Sequence, residues 1–400
     1  MAASIERLIL QSDWHQSLRE TDGRAWVTFK SSVHTSIHGE LQTHGLSNEG
    51  LPYVVASEGF TVQDVTQRKI GLTYSGEPAI CTRQFLAPVV AFSTIHTIGK
   101  NVYALDVTSG GLGVSSDSEG KLKVWETSTG EVRRNLEGHV FDIYTCRFFP
   151  SGIVMLTGGG DMQLKIWSVE TGQCAATLKE HRSAILDTAI IDRGRNVLSC
   201  SRDGTAKLWD CGEQKCLYSF DECGGDLNSC ALGIPENSIS LGQSDYIPNE
   251  REILTDGKML LLACENKTLQ GYGLQSKSKI FELPCHDAVN CCCFLSSTTA
   301  VCGTQDGHLT VVDLRNIRVP LKEWRESRGP ILSLLAHGQG FFASTGDGSC
   351  FHVNGQNETV LELTGSDCDP LYKVASDGTH IYTCCRDGQI RKYGLNIVGL

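Results

Sequence analysis

The sequence predicts an all-β protein in which seven four-stranded sheets close into a ring, a β-propeller, preceded by a small N-terminal mixed α/β cap. Three observations predict it: a repeated spacing of polar residues, seven regularly spaced turns, and short alternating strands after the turns. The repeated spacing has steps of 18, 4 and 6 residues, and two successive blocks carry it: His139, Thr157, Asp161 and Trp167, then His181, Ser199, Asp203 and Trp209.

This spacing is typical of a WD-repeat blade and has a physical reason. The aspartate caps its own turn and accepts a hydrogen bond from one imidazole N–H. The other imidazole nitrogen is hydrogen-bonded to the hydroxyl, which also accepts a hydrogen bond from the indole N–H. Buried polar groups need such partners, and a satisfied relay holds the blade in register. An earlier block predicts the same tetrad with glutamate for aspartate: His96, Ser115, Glu119 and Trp125.

The turns predict the number of blades. Their second residues are separated by steps of 42, 42, 63, 40, 41 and 40 residues and are Gly120, Met162, Gly204, Lys267, Gly307, Gly348 and Gly388. Seven turns predict seven blades over residues 91–400, with residues 1–90 as the cap. A segment near Gln84–Ser93 is expected to supply the outer strand that closes the ring, because closure removes an exposed sheet edge.

Three further features of the sequence predict an N-terminal helix, an insertion in blade four and a different core in the later blades. Loosely helical apolar spacing in residues 1–18 predicts a short helix. The step of 63 residues indicates an insertion of about 20 residues over the usual blade length. It lies near Pro235–Gly257 and joins the first two strands of blade four. Its Asn, Ser, Asp and Pro content is typical of a surface loop, either decoration or a contact site. Blades four to seven lack the full tetrad, so we expect apolar packing to stabilise them.

Composition excludes several classes of function. The net charge of −11 argues against binding a phosphate backbone. No stretch approaches the roughly 18 apolar residues of a membrane span. The 18 cysteines include no Cys-x-x-Cys pair, so core packing is expected rather than zinc. Glu6 and Arg7 stand where a secretion signal needs an apolar run, which favours a location in the cytoplasm or the nucleus.

No catalytic or cofactor motif is present. The glycine-rich segments at 110–116 and 158–165 lack the Lys-Ser/Thr ending of a phosphate loop, and neither Gly-x-Ser-x-Gly nor His-Glu-x-x-His occurs. The fixed spacing between the relay histidines and the turn acids indicates that these histidines have a structural and not a catalytic role. The sequence therefore predicts a non-enzymatic protein without cofactors.

The remaining class of function is recognition of a partner by the protein surface, and propeller topology indicates which surface. Residues beside the turn aspartates and after the blade-leading histidines are expected to surround one mouth of the central channel. This mouth mixes acids with two arginines and one aromatic, a composition compatible with a protein partner. The predicted partner-binding residues are Phe141, Arg202, Asp226, Asp287, Gln305, Asp306, Asp347, Asp367, Asp369 and Arg386.

Longer stretches resemble one family across nearly the whole chain. QSDWHQSLRE and ASEGFTV in the cap, with LEGHVFDIYTCRFFPSG and DPLYKVASDGTHIYTCCRDGQIRKY in the propeller, are similar to the proteasomal ATPase-associated factors. The resemblance implies a chaperone for assembly of the base of the proteasome regulatory particle. Such a chaperone binds the C-terminal domains of ATPase subunits and restrains formation and activity of the 26S proteasome. We expect a monomer when the protein is free.

One motif favours a different class of function. Val312-Asp313-Leu314-Arg315 resembles the Trp-Asp-x-Arg box with which some WD-repeat proteins bind a cullin-ligase adaptor, with valine in place of tryptophan. The alternative is therefore a substrate receptor of a cullin-type ubiquitin ligase.

Overall fold

The N-terminal segment is a β-sandwich, and the computed structural model describes residues 6–31, 34–77, 79–243 and 246–397. Its first sheet is antiparallel and contains β1 (Glu6–Leu10), β2 (Arg24–Ser31), β3 (Ile37–Leu46) and β4 (Pro52–Ala56). A four-residue helix, α1 (Trp14–Ser17), follows β1. The helix expected over residues 1–18 is wrong at Glu6–Leu10, where alternate residues Leu8 and Leu10 are buried in the sandwich core. Residues 1–5 lie outside the described ranges.

The second sheet of the sandwich leads into the ring. It contains β5 (Phe60–Gln63), β6 (Lys69–Gly76) and β7 (Ala79–Leu86), which pair in order, and a separate short strand follows, β8 (Val90–Phe92). The two sheets enclose one apolar core, in which Phe29 stacks on Tyr74 with ring centroids 4.3 Å apart. Burial of this core stabilises the packing of the two sheets against each other.

The remaining strands form the blades. Blade one contains β9 (Val102–Val107), β10 (Leu112–Asp117), β11 (Leu122–Glu126) and β12 (Val132–Leu136). Blade two contains β13 (Ile143–Phe148), β14 (Val154–Gly159), β15 (Gln163–Ser168) and β16 (Cys174–Lys179). Blade three contains β17 (Ile185–Ile191), β18 (Asn196–Ser201), β19 (Ala206–Asp210) and β20 (Lys215–Phe220). Blade four contains β21 (Leu227–Gly233), β22 (Met259–Cys264), β23 (Thr268–Gly273) and β24 (Lys279–Pro284).

Three further blades complete the ring. Blade five contains β25 (Val289–Phe294), β26 (Thr299–Thr304), β27 (His308–Asp313) and β28 (Lys322–Arg325). Blade six contains β29 (Ile331–His337), β30 (Gly340–Thr345), β31 (Cys350–Val353) and β32 (Thr359–Leu363). Blade seven contains β33 (Leu371–Ser376), β34 (His380–Cys385) and β35 (Ile390–Gly394), and a 3-10 helix follows at Leu395–Ile397.

Two strand pairings connect the N-terminal segment to the ring. β8 is the fourth strand of blade seven and pairs antiparallel with β35, while the first strands of blades seven and one are in contact. β7 pairs parallel with β32, so the second cap sheet extends blade six to seven strands. The all-β propeller predicted from the sequence is confirmed. Continuity of the cap with blade six was not anticipated, because a parallel pairing of distant strands leaves no local pattern.

The described residues of the blade-four insertion form a packed loop. It joins β21 to β22 and packs between blades three, four and five, through Ile253 N to Asn196 Oδ1 at 2.7 Å and Glu236 N to Ser297 O at 2.9 Å. Ser244 and Asp245 lie outside the described ranges. The loop is on the face opposite the turn aspartates.

Candidate protein-binding face

The relay in blade three has the predicted geometry. His181 Nδ1 lies 2.7 Å from Asp203 Oδ2, His181 Nε2 lies 2.7 Å from Ser199 Oγ, and the Trp209 indole donates to Ser199 Oγ at 2.8 Å. A carboxylate can only accept, so Nδ1–H donates to Asp203 and Nε2 is left to accept from the hydroxyl. The same contacts, at 2.7 to 2.9 Å, join the blade-two residues His139, Asp161, Thr157 and Trp167.

Hydrogen bonding keeps the turn aspartate of blade three ionised. Burial by itself would raise the pKa of Asp203, but hydrogen bonds from His181, the Arg182 amide and Thr205 outweigh it and hold the pKa well below its usual range. The same carboxylate accepts the Thr205 amide at 3.0 Å and so caps its turn. The turn and the preceding loop are therefore held together, which makes this end of the blade rigid.

The acid predicted for blade one is wrong. His96 Nδ1 binds Asp117 Oδ2 at 2.8 Å, and Glu119 instead lies at the surface beside Lys121 and Lys100. The connection from His96 to the first strand is longer than in blades two and three, and Asp117, the last residue of β10, is fully buried. A buried imidazole requires a buried acceptor, which Asp117 provides. Ser115 and Trp125 have their predicted places, with Nε1 to Oγ at 3.0 Å.

Blade six shows that the later blades do not depend on apolar packing alone. Arg328 lies in the loop that precedes β29, where earlier blades have histidine, and its buried guanidinium donates two hydrogen bonds to Glu362, at 3.0 and 2.7 Å. It also donates to Glu326 at 3.0 Å and lies over the Phe351 ring, 4.4 Å from its centroid. This network is a charged substitute for the relay, and sequence spacing gave no signal of it.

The turn aspartates mark one face of the ring, hereafter the turn face, and three tyrosines line its channel. Tyr103 lies 5.8 Å from Tyr144 and 5.2 Å from Tyr372 between ring centroids. Asn228 and Asn290 line the same channel, a cavity of about 410 Å³. The tyrosines were missed by sequence reasoning, although each is the second residue of the innermost strand of its blade. Aromatic side chains at a channel rim are favourable interface anchors.

Three exposed apolar side chains, Ile98, Val140 and Phe141, lie in loops of the turn face and are together called the apolar patch here. These side chains are 69%, 79% and 61% exposed, and each follows a relay histidine by one or two residues. Phe141 and Tyr144 both lie beside Gly160. Phe141 packs its backbone beside Gly120 of the blade-one turn, and Ile98 lies beside Gly388 of the blade-seven turn. The patch therefore spans blades seven, one and two on the turn face. Of its members, only Phe141 was predicted.

The predicted charged residues and Gln305 fall into two groups on the turn face. In the first group, each carboxylate has a partner within the chain: Asp287 with Lys267 at 3.1 Å, Asp306 with His308 at 2.9 Å, and Asp347 with Arg7 at 2.9 Å. Acids paired in this way attract a basic partner less strongly. The second group is exposed or half-exposed and contains Arg202, Asp226, Gln305, Asp367, Asp369 and Arg386.

A groove separates the cap from the turn face of blade six. It has a volume of about 520 Å³ and is lined by Trp26 and Lys30 of the cap and by Asp367 of the connection to blade seven. Arg7 crosses it to contact Asp347, and also donates to Ser349 Oγ at 2.5 Å. The cap thus adds an aromatic side chain to the acidic side of the turn face.

Within the described ranges, no group of three or more His, Cys, Asp or Glu side chains is arranged to hold a metal ion. The cysteines are free thiols. None of the described helices is long and apolar enough to cross a membrane.

Comparisons with known proteins agree with this architecture. The family model described as WD domain, G-beta repeat matches residues 130–168, 172–210 and 277–313. Proteasomal ATPase-associated factor 1 of Homo sapiens is 53% identical over 97% of this chain and 98% of its own. The Gallus gallus protein of that name is 52% identical over 99% of both chains. Probable proteasomal ATPase-associated factor 1 of Dictyostelium discoideum is 33% identical over 97% of this chain and 96% of its own.

Proposed function

The chain belongs to the proteasomal ATPase-associated factor 1 family, and from that premise we propose that it is a non-enzymatic chaperone for assembly of the base of the proteasome regulatory particle. Its partners are the C-terminal domains of proteasomal ATPase subunits. It acts as a monomer in the cytoplasm and the nucleus.

The mechanism is occlusion by mass action. A rigid ring that holds the C-terminal domain of an ATPase subunit blocks the surface with which that subunit would join the 26S proteasome. Free chaperone then lowers the concentration of subunits competent for assembly, in proportion to its own concentration relative to the dissociation constant. Release of the chaperone restores assembly. No covalent step is needed.

The observation that carries the proposal is the composition of the turn face. The side chains of Ile98, Val140 and Phe141 are too exposed to contribute to the core, and Phe141 lies beside Gly160 together with Tyr144 of the channel rim. Protein interfaces are built around such apolar and aromatic anchors with a polar rim. Asp226, Asp367 and Asp369 supply an acidic rim, which fits basic helices on a partner.

The first test is a pull-down of the full-length protein against the isolated C-terminal domains of the six proteasomal ATPases. We expect capture of one or two of them, weakened as salt is raised from low to high ionic strength, because exposed charge pairs are screened. Capture of none of the six would contradict the proposal.

Surface variants then test the face. Reversing Asp367 and Asp369 to lysine should weaken binding and flatten its salt dependence, whereas Glu170→Lys, an exposed acid on the opposite face, should not. Phe141→Ala should lower the affinity by at least tenfold if Phe141 is an anchor. The matched control is Val319→Ala, which removes an exposed apolar side chain from the opposite face of blade five. Equal effects of the paired variants would contradict this choice of face.

The ligase-receptor alternative rests on Arg315. Its guanidinium is exposed and donates to both Asp313 carboxylate oxygens, at 2.9 and 2.8 Å, so it is folded back on its own strand end. Arg315→Ala should leave ATPase capture unchanged under the chaperone proposal. Loss of a cullin adaptor from the same variant would favour the alternative.

A further inference from the structure

Blade five replaces the polar relay with two thiols. In blade two, His139 precedes the first residue of β13 by four positions, and Thr157 precedes that residue's strand partner, Gly159, by two. In blade five, the residues at the same two places relative to the pair Val289 and Thr304 are Cys285 and Cys302. The indole place is taken by Val312. A histidine, a hydroxyl and an indole have thus become two cysteines and an aliphatic side chain.

The two thiols are in contact. Cys285 Sγ lies 4.0 Å from Cys302 Sγ, and Cys285 Sγ lies 3.7 Å from the Leu283 carbonyl oxygen. Cys302 is fully buried, whereas Cys285 is half-buried and lines an open groove between blades four and five. A disulfide requires an S–S distance of about 2.05 Å. Cys285 belongs to the connection between β24 and β25, so it can approach Cys302 without displacing a central strand.

We propose that Cys285 and Cys302 are a redox modification site, and that peroxide converts this pair to a reversible disulfide that takes the structural place of the relay in blade five. This inference goes beyond the proposed function and does not depend on it.

The asymmetry of the pair defines the order of events. A hydrogen bond from Cys302 lowers the pKa of Cys285, and its thiolate is the form that attacks peroxide. The sulfur of Cys285 attacks one peroxide oxygen, the O–O bond breaks, and the leaving hydroxide takes a proton to give water and a sulfenic acid. The thiol of Cys302 then displaces the sulfenic hydroxyl, which leaves as a second water. Two electrons pass from the thiols to peroxide, and a dithiol reductant reverses the step.

The bond would cross-link the connection between blades four and five to β26. Closing a loop between two segments of the chain removes conformational freedom from the unfolded state. We therefore expect oxidation to raise the melting temperature by a few degrees, and reduction to restore the original value.

The test uses the full-length protein, treated with hydrogen peroxide, blocked with N-ethylmaleimide and digested so that cleavage follows Asp287 and Phe294. These cuts separate Cys285, Cys291 to Cys293, and Cys302 into different peptides. We expect a disulfide-linked pair of peptides that contain Cys285 and Cys302, which dithiothreitol separates. Recovery of both peptides unlinked, while exposed Cys174 and Cys368 are oxidised, would overturn the proposal.

Two variants test whether the disulfide joins Cys285 and Cys302 specifically. Cys285→Ser should abolish the linked peptides, the gain in melting temperature, and the loss of the Cys302 thiol. Cys292→Ala is the matched control, since Cys292 lies in the same apolar cluster as Cys302, and it should leave the link intact. A link to Cys292 instead, or an oxidised protein that melts no higher than the reduced one, would overturn the assignment.

Discussion

The acid that binds each relay histidine is a stability determinant that can be tested residue by residue. Asp117→Ala and Asp203→Ala each remove the acceptor of a buried imidazole, at 2.8 and 2.7 Å. Leaving a buried donor without a partner costs about 1–3 kcal/mol. We expect both variants to lower the free energy of unfolding by that amount, measured by urea denaturation.

Blade one supplies its own matched control. Glu119 stands at the position that spacing indicates, yet its carboxylate pairs with exposed lysines. Glu119→Ala should therefore change the free energy of unfolding by no more than about 0.5 kcal/mol. If Glu119→Ala were the more destabilising of the two blade-one variants, the assignment of Asp117 would be wrong.

His352 makes stability sensitive to mild acid. It is buried beside Phe342 and His337, with ring centroids 4.8 and 6.1 Å away. Burial lowers the pKa of His352 to about 4. Because the unfolded chain takes up the proton near pH 6.5, stability falls as the pH drops from about 6.5 to about 4. We expect His352→Phe to recover about 2 kcal/mol at pH 5, measured by urea denaturation.

The slope of stability against pH separates this effect from improved packing. His352→Phe should flatten the slope between pH 6.5 and 4, whereas a packing gain would raise stability equally at pH 7.5. His44→Phe, at an exposed position in β3, is the control and should leave the slope unchanged. His15, whose pKa is also lowered to about 4, by burial and nearby arginines, accounts for part of the remaining slope.

Local spacing predicted the relay residues where connection lengths repeat. Blades two and three keep the same length from histidine to first strand, so four residues each could be assigned. In blade one the connection from His96 to the first strand is longer. The acid that binds the histidine is Asp117, two residues before the predicted Glu119, although the overall repeat length is unchanged. Arg328 could not be assigned, since its partner Glu362 is 34 residues away, on a strand whose other neighbour comes from the cap.

The insertion of blade four is held by a buried ion pair. Lys277 Nζ lies 2.6 Å from Glu252 Oε2, both side chains are almost fully buried, and the Tyr218 and Tyr246 rings lie 5.2 and 5.3 Å from the ammonium. Removing one partner of such a pair leaves an uncompensated charge, which costs about 3–5 kcal/mol. We expect Glu252→Gln to destabilise the protein by about that amount, measured by urea denaturation, and to expose the loop to proteolysis.

A double variant distinguishes the charge from the shape of the site. Glu252→Gln with Lys277→Met removes both charges and should recover most of the lost stability. Glu213→Gln is the control, because Glu213 pairs with Arg251 at a half-exposed site. Equal destabilisation by the single and double variants would show that another interaction orders the loop.

The composition of the blade-four insertion predicted a loop, but it did not predict that the loop packs against the neighbouring blades. Polar residues and proline predict irregular backbone. Whether such a loop packs depends on its contacts with Asp210 of β19 and with Lys277 of the connection between β23 and β24, both of which were predicted as ordinary blade segments. The N-terminal strand β1 escaped prediction for a related reason. The five residues of β1 have three buried positions, a pattern that is compatible with a turn of helix as well as with a strand. Only the pairing with a partner strand distinguishes the two.

Across the whole molecule, the N-terminal segment both closes the ring and covers an edge of it. β8 completes blade seven, and Phe92 lies against Trp125 of blade one with ring centroids 5.4 Å apart. β7 covers the outer edge of blade six. An uncovered edge of this kind promotes association between chains. The cap boundary at residue 90 stays a prediction, and it falls within β8.

Two truncated chains distinguish ring closure by β8 from coverage of the blade-six edge by β7. A chain that begins at Pro88 keeps β8 and loses β7, whereas one that begins at Ser93 loses both. We expect the first to retain a cooperative melting transition but to self-associate through the bare edge of β32, as judged by light scattering. The second should lose the cooperative transition, since Ile390 to Lys392 lose their partner strand and Phe92 leaves a cavity beside Trp125.

Lysine at Thr359, a half-buried position at the start of β32, provides the control for association. Edge strands avoid pairing with other chains when they carry charge. Thr359→Lys in the chain that begins at Pro88 should therefore reduce light scattering without a change in the melting transition. If that chain instead melted without cooperativity, ring stability would depend on the cap sheet as well as on β8. The cap and propeller would then be one folding unit, with the seven-stranded sheet of blade six as the reason.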